Sequence, residues 1–238
     1  MITSGRLEIH DVLPSTSDRA IALAQAGAAP WTAVLAREQT AGRGRHGRRW
    51  LGGRGNLFLS VVLDPRTVRL VTAWSFVAAV ATADALAPLL QDPRLLRLKW
   101  PNDLLLDGAK LGGILIESAD DGAWAVAGIG VNLHSAPKPM DRPAIALSAY
   151  ATTVPEAEDL ARMIVQRLQA WAEVLGGEGL AAVLAGWQCY AVAPGTAMSV
   201  RLRQETLQGS FLGLGPDGTL LLRMEDGGVR SIVAGEVL

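Results

Sequence analysis

The apolar positions of this chain fall into short runs whose period changes along its length. Residues 32–38 (TAVLARE) and 56–63 (NLFLSVVL) are apolar runs of strand length, and the segment between them has no apolar period, which predicts strand, loop, strand. Ser15, Thr16 and Ser17 stand before an Ala-rich stretch reaching Ala26, and Ser15 with Asp18 three residues on reads as a helix N-cap. A buried helix is expected near 70–90, followed by Gly-punctuated apolar runs at 95–99, 110–117 and 123–133 that predict further strands of one sheet. Asn102 and Asp103 then fall in or near a turn after Pro101. Residues 155–175 open with Pro and acidic residues and place Leu160, Ile164, Leu168, Trp171 and Leu175 on one face at helical spacing, with a shorter helix near 179–188. Beyond Pro194 the pattern becomes four short strands, 196–203, 206–213, 218–224 and 228–234, separated by turns such as Pro216-Asp217-Gly218. The pattern predicts an α+β domain over residues 1–190 and a small all-β barrel over 191–238.

Composition narrows the class without naming it. The chain has 238 residues, half of them apolar, and a formal net charge of −1, which fits a globular protein rather than a disordered or nucleic-acid-coating one. A single cysteine, Cys189, allows no intrachain disulfide, and the N-terminus lacks signal-peptide character, so a cytoplasmic location is expected. The most apolar stretch, Leu70 to Ala83, reads as too short to span a bilayer before Asp84. His10, His46, His134 and Cys189 are scattered singly, so no transition-metal site is expected; a loosely held magnesium is compatible with the sequence.

Two segments depart from the ordinary. Residues 42–50 read GRGRHGRRW, and Arg43, Arg45, Arg48, Arg49 and Arg54 lie in a window, Gln39 to Leu63, without Asp or Glu. Glycine lets such a loop fold closely over an anion while arginine offers forked donors to phosphate or carboxylate. It is neither a Walker loop, since no Gly-Lys-Ser/Thr follows, nor a dinucleotide G-x-G-x-x-G, since a strand follows instead of a helix. A solvated basic loop is the plainer explanation of this segment alone. Residues 99–117 read KWPNDLLLDGAKLGGILIE and hold Lys99 and Lys110, two of only three lysines against nineteen arginines. An ammonium kept in an arginine-using chain points to a need for a compact, mobile charge. Gly112 and Gly113 after Lys110 would let a ligand lie against the strand, although a β-hairpin with a surface lysine accounts for the segment equally well. GIGVNL at 128–133 repeats the glycine pattern.

Taken together, GRGRHGRRW, KWPNDL, KLGGILIE and GIGVNL resemble the signature set of the biotin protein ligases, in order and approximate spacing, and the resemblance runs from about Ser15 to the terminal AGEV. It implies a class II synthetase-like mixed sheet flanked by helices, of the biotin and lipoate ligase type, followed by an SH3-like barrel. It also implies ATP and biotin as substrates, Mg2+, and a biotin carboxyl carrier protein as acceptor, with no DNA or membrane partner and room for a homodimer. With only fourteen residues before Ser15, no N-terminal DNA-binding domain is expected.

By the same resemblance Ser15, Thr16 and Gln39 match partners of the biotin ureido ring, and Trp50 and Leu115 match walls around its aliphatic tail. Gly42, Arg43, Lys110 and Gly113 complete the implied biotin site. Arg43, Arg45, Trp50, Lys99, Asn102, Gly112, Gly130 and Asn132 match the nucleotide site, and Lys110, Arg45 and Asp103 the catalytic groups. From Arg142 to Ala149 the chain carries Ala and Ile where some relatives place a tryptophan over adenine. A lipoate ligase is the nearest alternative; a noncatalytic biotin-binding protein and a nucleic-acid-binding module are the others.

Overall fold

The computed structural model describes residues 6–64, 71–138 and 143–237. Strand β1 (Leu7–Leu13), helix α1 (Thr16–Gln25) and β2 (Ala33–Gln39) form a β-α-β unit whose strands run parallel. Next come β3 (Leu57–Val62), α2 (Val71–Leu86), β4 (Leu96–Lys99), β5 (Asp103–Leu106), β6 (Ala109–Ser118) and β7 (Ala125–Val131). The seven strands make one sheet in the order β1-β2-β3-β7-β6-β5-β4, antiparallel everywhere except β1 and β2. Helices α3 (Ala157–Glu178) and α4 (Leu180–Tyr190) complete this layer.

Strand periodicity of two sorts the side chains onto two faces. Leu57, Leu59, Val61, Ala127, Ile129 and Val131 join the main core with α2, α3 and α4. Alternate residues Val34, Val62 and Val126 form a smaller cluster with Ala20 of α1. Helix α1 therefore covers one end of the second face, and Phe58, Ser60, Gly113, Leu115, Gly128 and Gly130 share that face by parity and register. The cleft described below lies there.

Helix α2 is apolar nearly all round, which is the pattern of a helix enclosed on every side. Val71–Leu89 is long and apolar enough to cross a membrane by length and composition, but 67% of that window is buried in the fold, and it is a core helix. Asp84 does not interrupt it. Its carboxylate accepts from Trp171 Nε1 at 2.8 Å and Tyr190 Oη at 2.8 Å, tying α2 to α3 and α4. Burial and the neighbouring Asp84 push the Tyr190 phenol far above its ordinary range, so it stays a donor.

The C-terminal strands β8 (Ala197–Arg201), β9 (Thr206–Leu214), β10 (Leu220–Arg223), β11 (Val229–Ile232) and β12 (Glu236–Val237) form an antiparallel sheet in the order β11-β10-β9-β8-β12. Its Val200, Phe211, Leu220 and Leu222 belong to the same apolar cluster as Trp74, Phe76 and Trp100. The expected helices and the strands named from periodicity are present. Strands β1, β5 and β12 were not expected from the sequence. Charged Glu8, His10 and Asp11 interrupt β1, an edge strand, and β5 is a four-residue strand lying between the other two arms of its meander. Leu70 and Arg142, both parts of sequence expectations, lie outside the described residues.

Candidate active site

The cleft on the α1 face holds about 910 Å³ of space not filled by atoms, open solvent included. One end is neutral and polar. Ser15 caps α1, its Oγ accepting from Asp18 N at 3.3 Å, which brings Thr16 and Ser17 to the cleft at the helix start. Gln39, the last residue of β2, accepts from Thr16 N at 2.7 Å and Thr16 Oγ1 at 3.1 Å through Oε1. Behind them Ser60 Oγ lies 2.8 Å from Thr16 Oγ1 and 3.2 Å from Ser17 Oγ. These hydroxyls are buried, so the network keeps their polar atoms from being stranded.

The floor is glycine. A Cβ on Gly128 would stand 2.8 Å from Ser17 Oγ, and one on Gly130 would stand 2.4 Å from the Trp50 indole. Two residues along a strand advance about 7 Å, so the hydroxyl cluster over Gly128 is followed by Trp50 over Gly130. Lys110 comes next, its Nζ 3.7 Å from the Cβ position of Gly113, the register partner of Gly130, and 5.8 Å from the Trp50 ring. Leu115, paired with Gly128, supplies an apolar wall.

The other end is charged. Lys110 Nζ donates to Asp103 Oδ1 at 2.6 Å, with the carboxylate largely buried. Asn102 holds this corner: its Nδ2 donates to Ile114 O at 2.7 Å and its carbonyl accepts from Ile114 N at 3.0 Å. Arg45 donates to Asn102 Oδ1 at 3.3 Å and Gly235 O at 3.4 Å. Burial pushes the Arg45 guanidinium below the usual arginine range, while Asp103 and Glu236 pull it back up. An arginine stays cationic through such a shift, so Arg45 is a partly desolvated positive charge at the cleft wall.

The arginine loop is folded over the opening. Gly44 N donates to Arg48 O at 2.7 Å and Trp50 N to Gly42 O at 2.9 Å, closing a small hairpin whose tip, His46 and Gly47, has left-handed backbone (φ 57° and 73°). Gly42 is required where it stands, because a Cβ there would lie 2.8 Å from Trp50 O and 2.9 Å from Gln39 Nε2. Arg48 reaches the C-terminal sheet and pairs with Glu236.

Of the residues singled out in the sequence, Thr16, Gln39, Arg43, Arg45, Trp50, Asn102, Asp103, Lys110, Gly113, Leu115 and Gly130 line this cleft. Others stand around it. Ser15 acts as the helix cap and Gly42 as the hairpin base. Gly112 faces Gly130 O inside the sheet, and Lys99 donates to Val237 O at 3.4 Å in the seam between the two sheets. Asn132 is buried under residues 143–147, its Nδ2 donating to Ile145 O at 3.2 Å. Arg43 lines the cleft, yet its guanidinium is engaged by Glu117 at 2.8 Å and Asp18 at 2.7 Å. The Ala- and Ile-containing segment beyond residue 142 runs beside Lys110, whose N donates to Pro143 O at 2.9 Å and whose O accepts from Ile145 N at 3.0 Å.

Compared with known proteins, the sequence profile of the Biotin/lipoate A/B protein ligase family matches residues 10–133. The chain belongs to this family. It is 38% identical over 199 residues to the Biotin--[acetyl-CoA-carboxylase] ligase of Paracoccus denitrificans, covering 80% of this chain and 83% of that one. Among solved structures it resembles the biotin protein ligase from Aquifex aeolicus in complex with biotin and ATP. There the TM-score is 0.85 and the identity 25%, over 98% of this chain and 97% of that one. It also resembles the biotin protein ligase from Leishmania major in complex with biotinyl-5-AMP (TM-score 0.71, 27% identity, 98% and 100% covered). The α+β class, the mixed sheet flanked by helices and the small SH3-like C-terminal barrel are those of biotin/lipoate ligases.

In this member of the ligase family, sequence reasoning missed Ser17, Ser60, Glu236 and Val237. Ser17 follows two residues already noted, and Ser60 alternates with Phe58 and Val62 on the cleft face, so strand parity could have found it. Glu236 and Val237 stand in the terminal AGEV that the resemblance reaches, but nothing local marks them as site residues. They reach the cleft only because the C-terminal sheet docks there.

Proposed function

We infer that this chain is a biotin protein ligase, which activates biotin with ATP and transfers it to a lysine of a biotin carboxyl carrier protein. The observation that carries the reading is the order of groups along one cleft: neutral hydroxyls and a carboxamide, then an indole and leucine over bare glycine backbone, then Lys110 with Arg45. Biotin presents the same order, a cyclic urea, an aliphatic chain and a carboxylate. Stranding a buried urea N–H or C=O costs about 1–3 kcal/mol, so a polar cluster belongs at that end.

In the first step a biotin carboxylate oxygen attacks the α-phosphorus of ATP, the bond to the bridging oxygen breaks, and pyrophosphate leaves. Two anions must approach, and Lys110 and Arg45 offset their repulsion from fixed positions. Asp103 holds the Lys110 ammonium at the end of the strand, and Asn102 holds both Arg45 and the β6 backbone. Trp50 and Leu115 bury the chain between the urea and the reacting carboxylate. In the second step the carrier lysine amine attacks the acyl carbon and AMP leaves.

Magnesium fits as a companion of ATP. Among the described residues no group of three His, Cys, Asp or Glu side chains comes together, and such ions are commonly held by one or two carboxylates with phosphates and water. Asp103 is the carboxylate we assign to it, where the ion would spread phosphate charge. The remaining nucleotide contacts we assign to the arginine loop and to the backbone at Gly130. We divide the chain into a catalytic unit, residues 1–190, and a barrel, 191–238, that closes the cleft. We place the reaction in the cytoplasm, with no part for DNA or membrane.

The test is to incubate the purified chain with ATP, magnesium, biotin and a biotin carboxyl carrier domain, and to blot with streptavidin. Labelling of the carrier at one lysine is expected. An unlabelled carrier, together with tighter binding of lipoate than of biotin by calorimetry, would replace this reading with that of a lipoate ligase.

A further inference from the structure

One backbone proton fixes the direction of every hydrogen bond at the neutral end of the cleft. Thr16 N–H can only donate, so the atom it meets at 2.7 Å is the carbonyl oxygen of Gln39 and its carboxamide nitrogen points the other way. A carbonyl oxygen only accepts, so the Thr16 hydroxyl, 3.1 Å away, spends its single proton on Gln39 as well. The 2.8 Å contact between Thr16 and Ser60 then requires Ser60 to be the donor. With its own proton used, Ser60 can only accept from Ser17 across 3.2 Å. The chain runs Ser17 to Ser60 to Thr16 to Gln39, all in one sense.

We propose that Ser60, which is 1% exposed and does not itself line the cleft, is a specificity-determining positioning residue that makes Thr16 and Ser17 present lone pairs, and no protons, to the ligand. Gln39 presents only N–H groups. The cleft end is thereby matched to a ligand whose ring offers N–H toward the hydroxyls and C=O toward the carboxamide, which is the pattern of a cyclic urea. Without Ser60 the Ser17 hydroxyl is free to turn its proton into the cleft, where it meets a ligand N–H. Geometry holds the arrangement in place: Ser60 is the ladder partner of Gly128, and a Cβ there would stand 2.8 Å from Ser17 Oγ, so only a glycine leaves Ser17 its seat. The inference rests on the biotin ligase reading above and deepens it.

The experiment measures binding of biotin, and of a biotin analogue methylated on a ureido nitrogen, to the wild-type chain and to Ser60→Ala by calorimetry, with adenylation followed in parallel. Ser60→Ala is expected to weaken biotin about five- to tenfold, the effect of one net hydrogen bond, as a rise in KM for biotin with kcat at saturation and KM for ATP unchanged. The preference for biotin over the methylated analogue is expected to narrow in the variant, because the lone pairs that reject the methylated ring are no longer enforced. A purely structural role would lower the melting temperature and leave that preference alone. If Ser60→Ala does not fold, Ser60→Cys, nearly isosteric with a weaker donor and acceptor, carries the same expectation. Wild-type affinity and wild-type preference in a folded variant would overturn the proposal and leave the ligase reading standing. A wild-type chain that does not bind biotin would overturn the ligase reading itself.

Discussion

At Lys110 the surroundings act in opposition. Its ammonium is held at 2.6 Å from a largely buried carboxylate, Asp103, yet it remains about one third exposed to the cleft, within reach of a ligand lying on Gly113. A side chain in that position is a charge kept ready for a second anion, because the first partner fixes its place without enclosing it. Removing it takes a fixed positive charge away from the incoming carboxylate and phosphates and leaves Asp103 without its ammonium partner. Lys110→Ala is therefore expected to slow adenylate formation by about 100-fold or more, the usual loss when one charge-stabilising donor is removed. A single-turnover assay reads this directly, and an unchanged rate of adenylate synthesis would take Lys110 out of the mechanism. Among the residues read from sequence, Lys110, Asp103, Trp50 and Gln39 stand in the cleft because each sits at the end of a strand or in the loop between strands, where local sequence fixes the position. Lys99 and Asn132 carry equally suggestive neighbours in sequence, but Lys99 reaches Val237 O in the seam and Asn132 reaches Ile145 O in the interior, contacts that come from segments distant in the chain.

At the scale of elements, the arginine loop is a closed hairpin with external anchors: Arg45 on Asn102 and Gly235, Arg43 on Glu117 and Asp18, Arg48 on Glu236. An acyl-adenylate is a mixed anhydride that water destroys, so a loop that stays down over it has a chemical purpose. Arg45→Gly removes two anchors and adds backbone freedom in one change. The expected outcome is an enzyme that still makes adenylate but releases it, seen as biotin on lysines of bystander proteins. Retention of the intermediate as tight as in the parent would refute the lid role. This loop was legible as a loop because no apolar period crosses it, whereas its anchors were not: the partners of Arg45, Asn102 and Gly235, lie outside the strands 57 and 190 residues away. Strand β5 had a local signal in Asp107-Gly108, both with positive φ (50° and 76°), the residues a two-residue hairpin turn between β5 and β6 requires. Strand β1 had none, because an edge strand carrying Glu8, His10 and Asp11 gains its identity only from parallel pairing with β2.

At the scale of the whole molecule, the two sheets share one core, and their seam is also a wall of the cleft. Trp100 Nε1 donates to Gly218 O at 3.2 Å across that seam, while Glu236 and Val237 of β12 line the opening. Gly218 is the tightest point of the docking: its φ is 82°, and an added Cβ would stand 2.4 Å from the Phe76 ring of α2. Gly218→Ala thus combines a left-handed backbone, costing about 1 kcal/mol for a side-chain-bearing residue, with overpacking of roughly 1–3 kcal/mol. For a chain of this size the sum is expected to lower the melting temperature by about 5–10 °C. Gly227→Ala is the matched control, since Gly227 has φ 83° in the same sheet with nothing within 4 Å of the added carbon. The difference between the two variants isolates the contact with Phe76 from the backbone cost. If that contact seats the barrel against the cleft, Gly218→Ala also raises KM for ATP and loosens adenylate retention, because Gly235 and Glu236 anchor Arg45 and Arg48 from the barrel side. Gly227→Ala is expected to leave both parameters at their wild-type values. Equal melting temperatures and equal kinetics in the two variants would mean that the seam at Phe76 carries neither stability nor function, and that the barrel is held by its apolar cluster alone.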